Sequence, residues 1–300
     1  MIRTDFRAVA VAAVMAWSLI GCGSNTPSSG NGGSGGGGNA SDTLGFVFSQ
    51  LGFHDPEDRN AGIDGFDLDG RASTEGSPGA DECAHDDFTS TTGEPGIDYR
   101  MFDVMVLLPT LAPSQFVDEI AQSAIRNGEM TVLMEISRID DLQNDDDVGV
   151  QVFSSEDVPP IGVDGVLPGG SLAAHPDDSL NSEIVTGRIE DGVLTVGPID
   201  LVFDLSIQVI DSELKINRAW MRMNLEDGNV SGVLAGFWEV AEIREMISDP
   251  TTGNGGSQAG FTFEEFEAAM ELADADFNGE ICESLTMMFD FQAVPAFVVK

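Results

Sequence analysis

Basic residues are scarce in this chain. It has 13 Lys and Arg against 52 Asp and Glu, a formal net charge of −39, and only two of the cations are lysines, Lys215 and Lys300. A surface this acidic repels phosphates, which excludes a simple nucleic-acid binder, and it opposes docking on anionic lipid through surface charge. Histidine is scarcer still: His54, His85 and His175 are the full set. The H-E-x-x-H, P-loop and strand-linked G-x-G-x-x-G patterns are all missing. The single G-x-S-x-G match, Gly32 to Gly36, lies in low-complexity sequence with no strand before it and no helix after it, so it is not a nucleophile elbow. No apolar run is long enough to span a membrane as a helix. The longest, Ala8 to Ile20 with one interruption at Ser18, rises roughly 20 Å against a hydrocarbon core of about 30 Å. Apolar residues nevertheless make up 42% of the 300, enough for a sizeable core in one large domain or two small ones.

That short apolar run follows Arg3 and Arg7, with Asp5 between them, and so reads as the h-region of an export signal. Leu19-Ile20-Gly21-Cys22 closes it and resembles the lipobox of bacterial lipoproteins. In that family the cysteine sulfur receives a diacylglycerol, the peptide is cut just before the cysteine, and the new amine is usually acylated. The resemblance makes Cys22 the lipidated first residue of the mature chain and the bilayer its partner. Two or three acyl chains hold where one would not, because each buried CH₂ contributes about 0.8 kcal/mol. Ser24 stands where that family places an inner-membrane retention aspartate, which favours the outer membrane of a Gram-negative cell. The chain as a whole is similar to uncharacterised secreted lipoproteins of such bacteria. Removing residues 1–21 leaves 11 basic against 51 acidic residues, a net charge of −40. Residues 22–42 are the lipidated cysteine and a Gly/Ser/Asn tether with no apolar run to bury, spanning roughly 25 Å.

Residues 43–300 read as a single mainly β domain. Met130, Val132, Met134 and Ile136 alternate with polar neighbours, as do Leu201, Phe203, Leu205, Ile207 and Val209, and Met287, Phe289, Phe291 and Ala293. Period two marks antiparallel strands with one buried face. Asp191-Gly192 and Asp227-Gly228 separate such runs and suit tight hairpins, pairing 184–190 with 193–197 and 214–225 with 230–236. Asp211-Ser212-Glu213 is expected to join 201–210 to 214–225, with a bulge near Asn217-Arg218 where the apolar parity changes. Helices are expected over 114–126, 237–248 and 262–273, the last opened by a Thr262/Glu265 capping box. The expected fold is an antiparallel β-sandwich or meander with about three peripheral helices. A closed outer-membrane barrel is disfavoured, because helices and acidic loops interrupt the even strand spacing it needs.

If Cys22 is acylated, Cys83 and Cys282 remain, and an exported protein should join them in a disulfide. The acidic residues are clustered. Asp58, Asp64, Asp67 and Asp69 are interleaved with glycines, and the group continues through Asp81, Glu82, His85, Asp86, Asp87 and Asp98. A second cluster is Asp140, Asp141 and Asp145 to Asp147. A third, Asp274 to Ile281, resembles the first eight positions of an EF-hand calcium loop. Asp274, Asp276 and Asn278 match its side-chain ligands, Gly279 its turn and Glu280 its carbonyl position, but Leu285 replaces the bidentate glutamate. Crowded carboxylates repel unless a cation neutralises them. Calcium is the expected structural cofactor, with Asp64, Asp67, Asp69, Asp274, Asp276, Asn278 and Glu280 as candidate ligands. The alternatives are loops that are merely solvated, or a whole chain adapted to salt, which the two lysines also fit.

No residue set reads as catalytic. The preferred function is a lipid-anchored, non-enzymatic binding or structural module at the cell envelope, with an envelope protein or small ligand as partner. The alternatives are an anchored hydrolase using His85 and its neighbouring aspartates, and a carrier with its sheet curled around an apolar ligand.

Overall fold

The computed structural model describes residues 42–54, 62–73, 83, 85–107, 113–207, 210–225, 228–248, 264, 267–270, 276–277 and 282–300. The elements in chain order are β1 (Asp42–Phe53), β2 (Phe88–Thr89), β3 (Pro95–Ile97), α1 (Arg100–Leu107), α2 (Pro113–Asn127), β4 (Thr131–Ile139) and β5 (Asn144–Ser155). Then come β6 (Ile161–Gly162), β7 (Gly165–Val166), β8 (Gly170–Ala173), β9 (Val185–Glu190), β10 (Val193–Ile207), β11 (Ile210–Asn224), β12 (Val230–Glu239), α3 (Val240–Ser248), β13 (Asp276–Phe277) and β14 (Cys282–Val299). Residues 267–270 are also helical. No described helix is long and apolar enough to cross a membrane.

The fold is a mainly β antiparallel meander, and the meander closes on itself. The order β1-β4-β5-β9-β10-β11-β12-β14 returns to β1, because β14 pairs with both β12 and β1. Phe289 lies opposite Leu234 on one side and Phe53 on the other; Phe291 lies opposite Gly232 and Leu51. Every pairing in this ring of eight is antiparallel. Ser41–Lys300 forms one compact unit.

Register assigns the faces. Phe46, Phe48 and Leu51, Met134 and Ile136, Val150, Ile189, Leu194 and Phe203, Met221 and Leu234, Phe289 and Phe291 all fall on one face, and all are buried. This face is the interior. Phe48 stacks on Phe291 with centroids 4.9 Å apart, and Phe53 on Phe289 at 4.6 Å. Eight strands enclose a space just wide enough for such side chains. The outward positions include Arg188, Glu190, Asp200, Lys215 and Asp290, all exposed. That polarity is the reverse of a barrel whose wall faces lipid.

Two stretches of the outer wall are buried by a second layer. Over β12 and β14, Ala235, Phe237, Thr286 and Met288 lie beneath residues 62–73 and 85–107. There the Arg100 amide donates to Thr286 Oγ1 at 2.8 Å and the His54 amide to the Met288 carbonyl at 2.9 Å. Over β1, β4 and β5, Val47, Leu133 and Phe153 lie beneath the end of β14, which pairs there in parallel with β8. Lys300 Nζ donates to Glu135 Oε1 at 2.7 Å and sits 5.2 Å above the Phe153 ring.

Several sequence expectations hold. The β9–β10 and β11–β12 hairpins pair as expected, and α2 covers 113–127. The expected bulge appears as a register shift between Asn217 and Trp220, with Arg218 at a φ of 51°. Three details differ. Asp211-Ser212-Glu213 is strand and not a connection, since Ser206 pairs with Asp211 and Asp204 with Glu213. Trp238 lies in β12, next to its last residue, with its side chain buried inside, and α3 begins only at Val240. The closure itself was not expected, because alternation marks a strand's faces without naming its partner.

Cys83 and Cys282 form the expected disulfide, with Cα atoms 5.8 Å apart and a sequence separation of 199. It ties the outer layer to the first residue of β14. Chain-entropy reasoning assigns so long a loop up to about 5 kcal/mol. In Cys22→Ser protein denatured without reductant, no thiol should react; two reactive thiols per chain would contradict the bond.

Candidate metal centre

The outer layer over β11, β12 and β14 is anchored by alternating apolar residues. Ile63, Gly65, Phe66 and Leu68 are buried, and Asp64 and Asp67 between them are exposed. Phe66 packs near Trp220, ring centroids 6.3 Å apart, and beneath the Arg222 guanidinium at 4.9 Å. Arg222 pairs with Asp64 and donates to the Gly65 carbonyl at 3.1 Å. The strip then joins the β2–β3 hairpin: the Ile63 amide donates to the Thr89 carbonyl at 2.9 Å and the Asp98 amide to the Phe66 carbonyl at 3.0 Å.

This packing brings three carboxylates together. Asp67, Asp69 and Asp98 each place an oxygen within 4.8 Å of the others. Backbone amides orient them. Asp67 Oδ1 accepts from Gly70 at 2.7 Å and Arg71 at 3.0 Å, and Asp69 Oδ1 accepts from Arg71 at 2.9 Å. Asp98 is 2% exposed, and its Oδ2 accepts from Leu68 at 2.6 Å and Asp69 at 3.3 Å. Gly96 makes the approach possible. Its φ is +95°, and a Cβ there would stand 2.7 Å from the Arg71 carbonyl oxygen.

Asp67 feels the crowding. Partial burial raises its carboxyl above the ordinary carboxylate value; the Gly70 and Arg71 amides pull it back, and the Asp87 carboxylate adds repulsion. An acid held above its unfolded value stabilises the fold at low pH, and that contribution is lost as pH rises through the folded value. At neutral pH ionised Asp67 is therefore a cost. The triad could hold a metal ion, and a cation between these oxygens would offset that cost.

The candidate ligands divide. Asp67 and Asp69 join the triad; Asp64 is instead engaged by Arg222. Asp276 lies in β13, opposite Ser284. Asp274, Asn278 and Glu280 lie outside the described residues. Asp98 was grouped with the first acidic cluster but not chosen as a ligand. Its signal is its setting, a single carboxylate between the buried Ile97 and Tyr99.

The second cluster spans the connection between β4 and β5 and the start of β5. Asp145 accepts from the amides of Asp140 at 2.7 Å, Asp147 at 3.0 Å and Asp141 at 3.4 Å, which holds its carboxyl below the ordinary value. The histidines are dispersed among separate contacts. His54 Nδ1 lies 3.0 Å from Asp290, and His175 Nε2 lies 3.3 Å from Glu156. His85 is 4% exposed, with Nδ1 3.4 Å from Asp87 Oδ1. Asp87 Oδ2 in turn accepts from the Ser73 amide at 2.5 Å. Both side chains of this pair are buried.

No family model, no curated protein and no solved structure matches the chain.

The triad predicts that about 1 mM of a divalent cation raises the melting temperature above its value in EDTA at fixed ionic strength. Asp67→Asn should shrink that increment and, in EDTA at neutral pH, melt no lower than the parent. An unchanged melting temperature, or an equal increment in the variant, would contradict the site.

Proposed function

We propose that this chain is a lipid-anchored protein of the bacterial cell envelope, a non-enzymatic binding or structural module whose outer acidic loops are stabilised by calcium. The observation that carries the reading is Leu19-Ile20-Gly21-Cys22 at the end of a short apolar run behind two arginines. Three features support it. The Cys83–Cys282 disulfide suits an oxidising compartment outside the cytosol. The outward strand faces carry charged side chains, so the acyl chains and not the barrel wall would hold the bilayer. Ser24 after the lipidated cysteine favours the outer membrane.

Calcium suits the triad better than a transition metal because the donors are all hard carboxylate oxygens in an irregular arrangement. It accepts 6–8 oxygens in loose geometry, whereas magnesium demands a near-ideal octahedron. A hydrolase built on His85 is opposed by that residue's burial. A carrier is opposed by the interior, whose described positions are filled by Phe, Leu, Met and Val side chains.

Radiolabelled palmitate supplied to expressing bacteria should enter the parent protein and not Cys22→Ser, and the variant should leave the membrane fraction. A parent without label, or a variant that is processed and sediments as before, would contradict the anchor. Replacing calcium by magnesium in the melting experiment should weaken the shift.

A further inference from the structure

Ten large hydrophobic side chains are exposed on the described surface, and six of them belong to one corner: Val158, Ile161, Val163, Leu167, Phe297 and Val299. The corner is the second layer over β1, β4 and β5. The end of β14 pairs there with β8, placing Phe297 opposite Ser171 and Val299 opposite Ala173. The β6–β7 hairpin, closed by the Leu167 amide donating to the Pro160 carbonyl at 2.7 Å, is joined to it where the Gly169 amide donates to the Pro295 carbonyl at 2.6 Å. Ala296 and Leu172 are buried beneath this layer, whereas Phe297 is 69% exposed and Val163 stands fully in solvent. Val163 is one of the two turn residues between β6 and β7, a position where polar residues normally prevail. Apolar side chains displayed together on a chain of net charge −39 call for a partner that is apolar and uncharged.

The way the chain enters the domain indicates what that partner is. β1 begins at Asp42, and Gly45 lies directly under the same layer: a Cβ there would meet the Ala296 carbonyl oxygen at 2.5 Å and Val298 Cγ2 at 3.3 Å. β1, the first described strand, therefore begins against the layer that carries the patch. The sequence between Cys22 and Asp42 is about 20 residues, with an expected span of roughly 25 Å. A domain held so close to a surface meets it at an effective concentration on the order of millimolar, so a contact too weak to bind from solution is populated. Asp164 beside Val163 keeps the contact shallow, at headgroup depth, and Lys300 lies on the same layer.

We propose that Val163, Leu167, Phe297 and Val299 form a membrane-facing patch that seats the barrel side-on against an electrically neutral lipid surface. The proposal rests on the anchoring reading above.

The test uses the full acylated chain on phosphatidylcholine vesicles. With Cys22 acylated and Cys83 bonded to Cys282, a Val163→Cys substitution offers a single thiol for an environment-sensitive fluorophore. Nitroxide-bearing lipid should quench this label and should not quench one at Lys215→Cys on β11, half-way round the ring from β4. Adding Phe297→Asp should abolish quenching at position 163 while the protein stays on the vesicles. Bound protein whose 163 label is unquenched, or quenched no more than the 215 label, overturns the docking and leaves the anchor standing. Protein that fails to bind vesicles at all overturns the anchor and the docking with it. A label shift that grows with concentration in vesicle-free Cys22→Ser protein would assign the patch to a second copy and overturn the lipid proposal.

Discussion

Every other feature of the molecule depends on β14 pairing with two strands at once. Its residues 289–293 hydrogen-bond to β12 on one side and β1 on the other. That double pairing joins the two ends of the meander, so that neither β1 nor β14 is left as the kind of unpaired edge that makes open sheets prone to aggregate. It also defines an inside. Once closed, the apolar half of each strand has no alternative but the interior, and the stacked pairs Phe48–Phe291 and Phe53–Phe289 sit at the seam itself. Dispersion and hydrophobic burial therefore reinforce the hydrogen bonds at the point where chain entropy opposes closure most, since the two strands lie more than two hundred residues apart.

The described interior is filled with apolar side chains. The two buried stretches of outer wall serve as foundations for different layers. One carries residues 62–73 and 85–107, stapled by Cys83–Cys282 and pinned by Arg222, and it assembles Asp67, Asp69 and Asp98. The other carries the crossing of β14 and β8 with its exposed Phe297. In the first layer the scarcity of cations matters locally: Arg222 is committed to Asp64 and Phe66, and Asp87 adds a further negative charge beside Asp67. A metal ion among the three carboxylates could compensate that charge.

Much of the fold was legible in the sequence, and the reasons differ by element. Alternation along 201–207 and 287–293 exposes the strands because one face is buried and the other wet. Asp191-Gly192 marks a hairpin because both residues adopt positive φ, 51° and 83°. The Asn217-Arg218 bulge was readable from a change in parity. Closure was not, because a strand's pattern is the same whether its neighbour is β12, β1 or solvent. The helix α1 was missed because its eight residues are too few to show a period. Of the candidate site, the Asp67-Leu68-Asp69 pair was visible as clustered charge. Asp98 was not singled out, since only the packing of Phe66 against Trp220 and the hairpin contact at Ile63 carry it to them.

The closure is tested most directly by hydrogen exchange of individual amides. The amides that bridge β1 and β14, among them those of Leu51, Phe53, Phe289 and Phe291, should exchange only through global unfolding, as slowly as those of the β10–β11 ladder. Exchange at the seam as fast as in the surface loops, with β10–β11 still protected, would show an open sheet and contradict the account.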